Sequence, residues 1–187
     1  DDDATPDYSR ITVEPFERGY GTTVGNSLRR VLLASLEGTA VTAVRLENIN
    51  DEFSAIPGFS EDVTDLVLNL KRCKIQLKEK DSLIFSYTHK GQGEITVADL
   101  FKEQDVEVFN PDHVLLTPTT KSAKVELEIK VANGRGYVTA EHFELEHAPL
   151  GTVYLDADFS PVSKVNFQVE DARVGQTTDY DRLILDI

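Results

Sequence analysis

Three glycines within residues 19–25, the sequence GYGTTVG, form the segment whose composition most suggests ligand chemistry. Glycines ahead of a helix let backbone N–H groups approach an anion, and the positive end of the helix favours a phosphate there. Gly19, Gly21 and Gly25 are not followed by the Lys-Ser/Thr of a P-loop, and no strand–helix–strand pattern surrounds them. We therefore favour a structural turn and keep a small nucleotide-binding enzyme as the alternative.

The segment HFELEH, residues 142–147, carries side chains of the kind that bind metal ions. If it forms a strand, His142, Glu144 and Glu146 share one face while His147 points to the other. The two histidines are then separated, and no Cys or His cluster nearby supplies further ligands. We predict a solvated strand face here and no metal site.

Cys73 and two acidic pairs are the remaining candidates for catalysis. Cys73 is the single cysteine, so it cannot form an internal disulfide, and the sequence marks no His with an orienting acid for it. The acidic pair at 61–62 is explained by the start of a helix, and the pair at 170–171 has no independent support. We predict a buried bystander thiol, no catalytic residue and no cofactor.

The charge of the chain argues against nucleic-acid binding. Its 187 residues carry a net charge of −14, whereas proteins that bind DNA or RNA present a basic face to the phosphates. The cluster of Lys71, Arg72 and Lys74 is small and has no interleaved aromatic residues. There is no apolar run of about 20 residues, and the sequence opens with three aspartates instead of a basic signal segment. We expect a cytoplasmic protein without direct contact to nucleic acid or membrane.

The glycines precede a predicted helix over residues 23–37. Thr22 or Thr23 is expected to cap its start, and Gly38 its end. Apolar residues at helical spacing predict one face packed on the core: Val24, Leu28, Val31, Leu32 and Leu36. A second face with the same spacing carries Asn26, Arg30, Leu33 and Glu37. A helix with one partner needs a single apolar face, so the second face predicts contact with another chain.

The rest of the chain predicts one further helix and many strands. Ser60 and two acidic residues begin the second helix, whose apolar face comprises Val63, Leu66, Val67 and Leu70. Period-two alternation then dominates, and the dipeptide at 133–134, Asn-Gly, is a strong hairpin signal. Residues 1–9 are acidic, lack periodicity and are expected to form a loose tail. The pattern predicts an α+β fold, mostly antiparallel sheet with two main helices.

Four long segments carry a resemblance to one family. They are EPFERGYGTTVGNSLRRVLLASLEG (14–38), DEFSAIPGFSEDVTDLVLNLK (51–71), GRGYV (134–138) and NFQVEDARVGQTTDYDRLILDI (166–187). In this order the chain resembles the N-terminal domain of the bacterial RNA polymerase alpha subunit, from about residue 11 to residue 187. Residues 73–127 match mainly through their strand pattern. The resemblance implies a subunit that does no chemistry itself, forms a homodimer, and carries the assembly of the catalytic beta and beta-prime subunits.

The resemblance also implies a discontinuous organisation. A dimerisation and assembly subdomain combines residues 10–38 with 164–187, and a strand-rich subdomain, residues 39–163, is inserted between them. In the family, a further helix, a flexible linker and a small DNA-binding domain follow the part that resembles this chain. We expect a homodimer that is weakened without that helix, because an isologous interface loses apolar area twice.

The resemblance assigns site residues position by position. The beta-subunit contact corresponds to Arg30 and Leu33, which spacing had already placed on one face, together with Asn26 and Arg29. The beta-prime contact corresponds to Lys71 and to the region 172–182, which contains Arg182. One basic position of the family pattern in that region is Thr177 here, so this contact departs from the family. The dimer contact corresponds to Leu28, Val31, Leu32 and Ser35.

Overall fold

The computed structural model describes residues 4–5, 7–49, 51–143, 148–175 and 177–187. The elements in chain order are β1 Arg10–Glu17, α1 Tyr20–Ala34, β2 Glu37–Leu46, α2 Val63–Lys71, β3 Ile75–Leu77, β4 Ser82–Lys90, β5 Ile95–Thr96, α3 Val97–Phe101, β6 Val106–Val108, β7 Val114–Leu116, β8 Lys124–Arg135, β9 Tyr137–Val138, a 3-10 turn Ala140–His142, β10 Thr152–Tyr154, β11 Ala157–Asp158, β12 Asn166–Val174 and β13 Thr177–Asp186. In the described part of the chain, no helix has the length and apolar character needed to cross a membrane.

The chain forms two compact units. Unit 1 combines Asp1–Leu36 with Ser160–Ile187, and unit 2 is Glu37–Phe159. The resemblance implied that the inserted subdomain begins after residue 38 and ends before residue 164. In the structure, unit 2 begins after Leu36 and ends before Ser160. Mostly antiparallel strands with few helices confirm the predicted α+β class.

Unit 1 is a three-stranded antiparallel sheet, in the order β1-β13-β12, with α1 packed against it. Its core is built on Val165, Leu183 and Leu185, which are buried under half-buried side chains of the helix and the sheet. The register of β1 against β13 shifts between Val13 and Phe16. Strand β1 continues through this irregularity to Glu17, two residues beyond Pro15.

Unit 2 is built on a four-stranded antiparallel sheet in the order β10-β2-β8-β4, accompanied by the pairs β11-β9, β3-β6 and β5-β7. Strand β8 alternates as predicted, with its apolar residues buried and its charged residues on the other face. Leu66 and Leu70 of α2 join this core, as do Leu100 and Phe101 of α3. The larger of the two hydrophobic cores thus lies in unit 2.

The two helices of unit 2 each begin with a capping box. At α2, Asp62 accepts a hydrogen bond from the amide of Asp65 at 2.7 Å, and Asp65 accepts one from the amide of Asp62 at 3.4 Å. The second predicted helix is confirmed, but its cap is Asp62 and not Ser60. Helix α3, capped by Thr96, was not predicted, because five residues are too few to show helical periodicity.

The hairpin predicted at residues 133–134 is wrong, because both residues belong to β8, which continues to Arg135. A Cβ atom at Gly134 would lie 2.6 Å from the ring of Phe159, so glycine serves close packing within a strand there. The chain turns instead at Gly136, whose φ is 65°.

The tail expected to be loose through residue 9 is attached at its end. Ser9 and Ile187 exchange two backbone hydrogen bonds of 2.9 Å, which extend the pairing of β1 with β13. The hydroxyl of Tyr8 donates a hydrogen bond to Asp186 at 2.6 Å. Residues 1–3 and 6 of the predicted tail lie outside the described residues.

Candidate functional site

The helix that carries most of the predicted contact residues begins earlier than the sequence indicated. Helix α1 starts at Tyr20, after Gly19 with φ of 89°, and the predicted threonine cap is wrong. Its first amides are bound by a residue far along the chain: Asp181 accepts hydrogen bonds from the N–H groups of Gly19 at 2.8 Å and of Gly21 at 3.2 Å. Asp181 lies on β13 and is 7% exposed. It therefore ties the start of α1 to the last strand of unit 1.

Glycines bring α1 very close to the sheet. A Cβ atom at Gly21 would lie 2.9 Å from a methyl carbon of Val169, and one at Gly25 would lie 2.5 Å from the ring of Phe167. The glycine-rich segment thus faces its own sheet, and its first amides face the carboxylate of Asp181. This arrangement argues against the alternative phosphate or nucleotide site, because the Asp181 carboxylate already accepts from two of the N–H groups that an anion would bind.

The second half of α1 presents two guanidinium groups. The side chains of Arg29 and Arg30 are exposed. Neither guanidinium group forms a hydrogen bond or an ion pair with the described residues. An open depression of about 550 Å³ is lined by Ser27, Arg30, Val31, Leu33, Ala34 and Ser35. The planar fork of an arginine can bind a carboxylate through two hydrogen bonds, so this end of α1 is equipped to bind another chain.

The apolar face predicted for the core is partly wrong. Leu28 and Val31 are 38% and 49% exposed, whereas Leu32 and Leu33 pack against the core of unit 1. The physical reason is that α1 meets the sheet through its two buried glycines, which contribute no side chain to an apolar pattern. Leu36 lies beyond the helix, which ends at Ala34 instead of residue 37.

Exposed apolar side chains also occur on the neighbouring strand. Ile11 and Val13 of β1 are more than one-third exposed, and they pair with Leu185 and Leu183 of β13. Directly paired residues share a sheet face, so Ile11 and Val13 lie on the face against which α1 packs. Unit 1 therefore has apolar surface on both α1 and β1.

The other predicted contact residues of unit 1 lie on β13. Arg182 donates from Nε to Glu14 at 2.6 Å, and a second of its nitrogens lies 3.7 Å from Glu170. Because Asp181 points to α1, the alternation of the strand places Arg182 on the opposite face of the sheet. Thr177 begins β13, and its side chain lies outside the described residues.

In unit 2, Lys71 at the end of α2 is bound to Asp156. Its Nζ donates to Asp156 Oδ2 at 3.1 Å, and Asp156 Oδ1 accepts from the amide of Ala140 at 3.0 Å. Tyr137 of β9 pairs with Asp158 of β11, two residues beyond Asp156. The hydrogen bond from Ala140, and after it the one from Lys71, hold the pKa of Asp156 below its ordinary value. Sequence reasoning missed Asp156 and Tyr137, because no spacing connects positions 71, 137 and 156.

Cys73 and the segment 142–147 are the candidates that the sequence offered for catalysis and metal binding. Cys73 is buried, and burial raises the pKa of its thiol to about 12. His142 ends a 3-10 turn, so the predicted strand is wrong there, and Glu144, Glu146 and His147 lie outside the described residues. Within the part that the structure describes, no group of three or more His, Cys, Asp and Glu side chains is arranged to hold a metal ion.

A known family model matches more than half of the chain. Residues 44–160 match the RNA polymerase Rpb3/RpoA insert domain, and this match covers most of unit 2. The matched region contains Lys71, Tyr137 and Asp156.

Curated relatives match along the whole chain. The DNA-directed RNA polymerase subunit alpha of Heliobacterium modesticaldum is 51% identical over 187 residues, which are 100% of this chain and 58% of that protein. The same subunit of Geobacter metallireducens is 47% identical over 183 residues, 98% of this chain and 54% of that protein. That of Aquifex aeolicus is 47% identical over 187 residues, 100% of this chain and 59% of that protein. The chain thus spans a little over half the length of these relatives, and at such identity along its whole length it belongs to the DNA-directed RNA polymerase alpha subunit family.

Proposed function

We propose that this chain is a non-catalytic scaffold that forms a homodimer and assembles the beta and beta-prime subunits of a bacterial RNA polymerase. The family supports a role within that enzyme, and the surface of α1 supports a role in assembly. The observation that carries the proposal is that the second half of α1 presents two arginines, unpaired among the described residues, beside exposed apolar side chains. We place this role in the cytoplasm, without direct binding of nucleic acid by this part of the protein.

In the proposed beta contact, Arg30 binds an acidic group of the beta subunit while the depression beside it accepts an apolar side chain. An arginine without a partner in its own chain gives up no internal ion pair when it forms an interface, and its guanidinium group is less strongly hydrated than an ammonium group. Arg is also enriched among binding hot spots. Leu33 lines the depression and also packs on the core of unit 1, so its position is fixed by its own chain. Asn26 and Arg29 are exposed on the same helix and belong to the rim of this contact.

The test of the beta contact is capture of purified beta subunit by the immobilised full-length protein. Arg30→Ala is expected to lower the affinity at least tenfold, since truncation of an interface hot spot costs more than about 1.4 kcal/mol. Arg135→Ala is the matched control, because it removes an exposed arginine whose ion pair with Glu37 is 3.5 Å long. The beta assignment is wrong if Arg30→Ala captures beta as well as the control does and both variants unfold at the same temperature.

In the proposed dimer contact, the exposed side of α1 packs against the same side of a second copy. Leu28, Val31 and Ser35 are exposed there, and Leu32 supports them from the core of unit 1. Val31→Asp is expected to shift the protein from dimer to monomer in sedimentation velocity, because a charge would be buried at the interface in both copies. Thr22→Asp, a charge on an exposed position of the first turn of α1, is the control and should leave the dimer intact. A Val31→Asp protein that sediments as a dimer contradicts this assignment.

The proposed beta-prime contact involves Lys71 of unit 2, with Arg182 and Thr177 of unit 1. Lys71 is the better supported of the three, because it ends a helix and its side chain is one-third exposed. Arg182 already has two acidic neighbours in its own chain, so a partner must either share that guanidinium group or displace Glu170, which is the more distant.

A further inference from the structure

Two groups of unit 2 donate hydrogen bonds to the carboxylate of Asp156, and Tyr137 lies on the strand pair that follows it. Lys71 donates to Oδ2 at 3.1 Å and the amide of Ala140 donates to Oδ1 at 3.0 Å, while Tyr137 of β9 pairs with Asp158 of β11, two residues beyond Asp156. The amide belongs to the backbone, so it holds the carboxylate in one orientation. The orientation of the carboxylate in turn determines where the Lys71 ammonium lies.

Tyr137 is exposed to an extent that is unusual for a large aromatic side chain. It is 64% exposed, on a strand whose backbone position is fixed by its pairing with β11. A tyrosine ring presents a broad apolar face and has few rotatable bonds, so it loses little conformational freedom when a partner covers it. Tyr137 belongs to the segment GRGYV, to which the proposed contacts of Arg30 and Lys71 assign no role.

The ammonium of Lys71 still has donors to offer. An ammonium group has three N–H donors, and the hydrogen bond to Asp156 uses one of them. A partner that brings oxygen acceptors to Lys71 and an apolar side chain to the ring of Tyr137 would satisfy both groups at once. Asp156 neutralises much of the charge of Lys71, so such a partner needs acceptors in the right place more than it needs a large negative charge.

We propose that Lys71, Tyr137 and Asp156 form one binding surface for beta-prime, in which Asp156 is a positioning residue and Tyr137 is a second contact residue. This inference rests on the proposed function, specifically on the beta-prime contact of Lys71. The partner segment presents backbone carbonyl or carboxylate oxygens next to an apolar side chain.

The test measures binding of beta-prime to the complex of the full-length protein with the beta subunit. Lys71→Ala and Tyr137→Ala are each expected to weaken binding about tenfold. Tyr137→Phe is expected to weaken binding less than Tyr137→Ala does, because the aromatic ring remains. Asp156→Asn is expected to weaken binding about threefold in the wild-type background and to have almost no effect when Lys71 is already Ala. Ile84→Ala, which removes another exposed apolar side chain of unit 2, is the control and should bind normally.

The sign of the Asp156→Asn effect separates positioning from simple electrostatics. If Asp156 only reduced the positive charge, its replacement by Asn would strengthen the binding of an acidic partner. Positioning predicts the opposite sign and the loss of the effect in the Lys71→Ala background. A melting temperature is measured for each variant, and Tyr137→Ala, an exposed substitution, keeps the proposal testable if Asp156→Asn folds poorly.

The failures of the two proposals can be told apart. Unchanged binding by Lys71→Ala would contradict the beta-prime contact itself, and this inference with it. Weakened binding by Lys71→Ala, together with normal binding by Tyr137→Ala and Asp156→Asn, would overturn only the shared surface. Stronger binding by Asp156→Asn would overturn the positioning role.

Discussion

Cys73 illustrates at the residue scale how burial suppresses the reactivity of a thiol. Its side chain is buried, and burial raises the pKa of the thiol to about 12 by disfavouring the thiolate. Because the thiolate is the reactive form, we expect DTNB at pH 8 to modify the folded protein at least tenfold more slowly than the protein in guanidinium. If the thiol of Cys73 reacted as fast in the native protein as in the denatured protein, this result would contradict the burial of Cys73.

The sequence identifies exposed side chains more readily than it identifies the side chains that bind the backbone of another segment. Spacing placed Arg30 on a helix face away from the core, and the side chain is exposed. Nothing in the sequence singled out Asp181 or Asp156, because each acts on backbone amides of a distant segment. A backbone amide is present at every residue except proline, so the residue types in the sequence do not reveal which amide a carboxylate binds.

At the scale of elements, the contact between α1 and its sheet leads to a prediction about Gly25. In a solvated helix, Gly→Ala stabilises by up to about 1 kcal/mol. Here the added methyl would lie 2.5 Å from the ring of Phe167, so we expect Gly25→Ala to lower the free energy of unfolding by about 1–3 kcal/mol. Urea unfolding measures this change, and Phe167→Leu in the same chain should restore part of the loss. A stabilised Gly25→Ala protein would show that the helix does not approach the sheet so closely.

The long-range cap of α1 leads to a second prediction about this helix. Asp181→Ala leaves the amides of Gly19 and Gly21 without their acceptor, and it is expected to cost about 1–3 kcal/mol of unfolding free energy. Asp181→Asn keeps a side-chain oxygen and should cost less. Asp179→Ala is the matched control, because Asp179 is exposed and its ion pair with Arg18 contributes at most about 1 kcal/mol. Equal effects of Asp181→Ala and Asp179→Ala would contradict the capping role.

Helix α2 was predictable because its periodicity is local, and it lies where the sequence placed it. Strand β8 shows the period-two alternation that the sequence predicts for the part of the chain after α2. The start of α1 was not predictable, since it depends on Asp181, and the two fully buried residues of this helix are glycines. The hairpin at Gly134 failed for a similar reason, because the ring of Phe159, distant in sequence, requires the glycine.

At the scale of the whole molecule, part of the acidic excess serves internal hydrogen bonding. The chain has 33 acidic and 19 basic residues, and several carboxylates accept hydrogen bonds from amides of other segments. Asp181 does so at α1, Asp156 at Ala140, and Glu61 at Thr117 with a distance of 2.7 Å. Some of the acidic residues that give the chain its net charge of −14 therefore join elements that are remote in sequence.

Asp156, Asp186 and Glu47 make stability depend on pH, with opposing contributions. Hydrogen bonds lower the pKa of Asp156 and of Asp186, the latter through Arg10 and then Tyr8. A carboxyl with a lower pKa in the folded state contributes stability above its ordinary pKa, and this contribution is lost as the pH falls through the folded value. Glu47 has the opposite sign, because its hydrogen bond with Glu126 raises its pKa. Acidification also reduces the mutual repulsion of the excess negative charges. The effect of one carboxyl on the pH dependence of stability must therefore be measured by substituting that carboxyl alone.

Glu61 can be isolated by an isosteric substitution. Partial burial tends to raise the pKa of its carboxyl, but the hydrogen bonds from Thr117 outweigh burial, and the net shift is downward. Glu61→Gln keeps an oxygen for the Thr117 amide and cannot ionise, so at pH 7 it should be less stable than the wild type by about 1 kcal/mol or less. As the pH falls through the lowered pKa of the folded state, the wild-type carboxyl becomes protonated and the two proteins should converge in urea unfolding. The control is Glu103→Gln, at an exposed position whose side chain has no hydrogen bond or ion pair to the described residues, and it should be about as stable as the wild type at pH 7. A Glu61→Gln difference that stays constant between pH 7 and pH 3 would show that the charge of Glu61 contributes nothing to the attachment of Thr117.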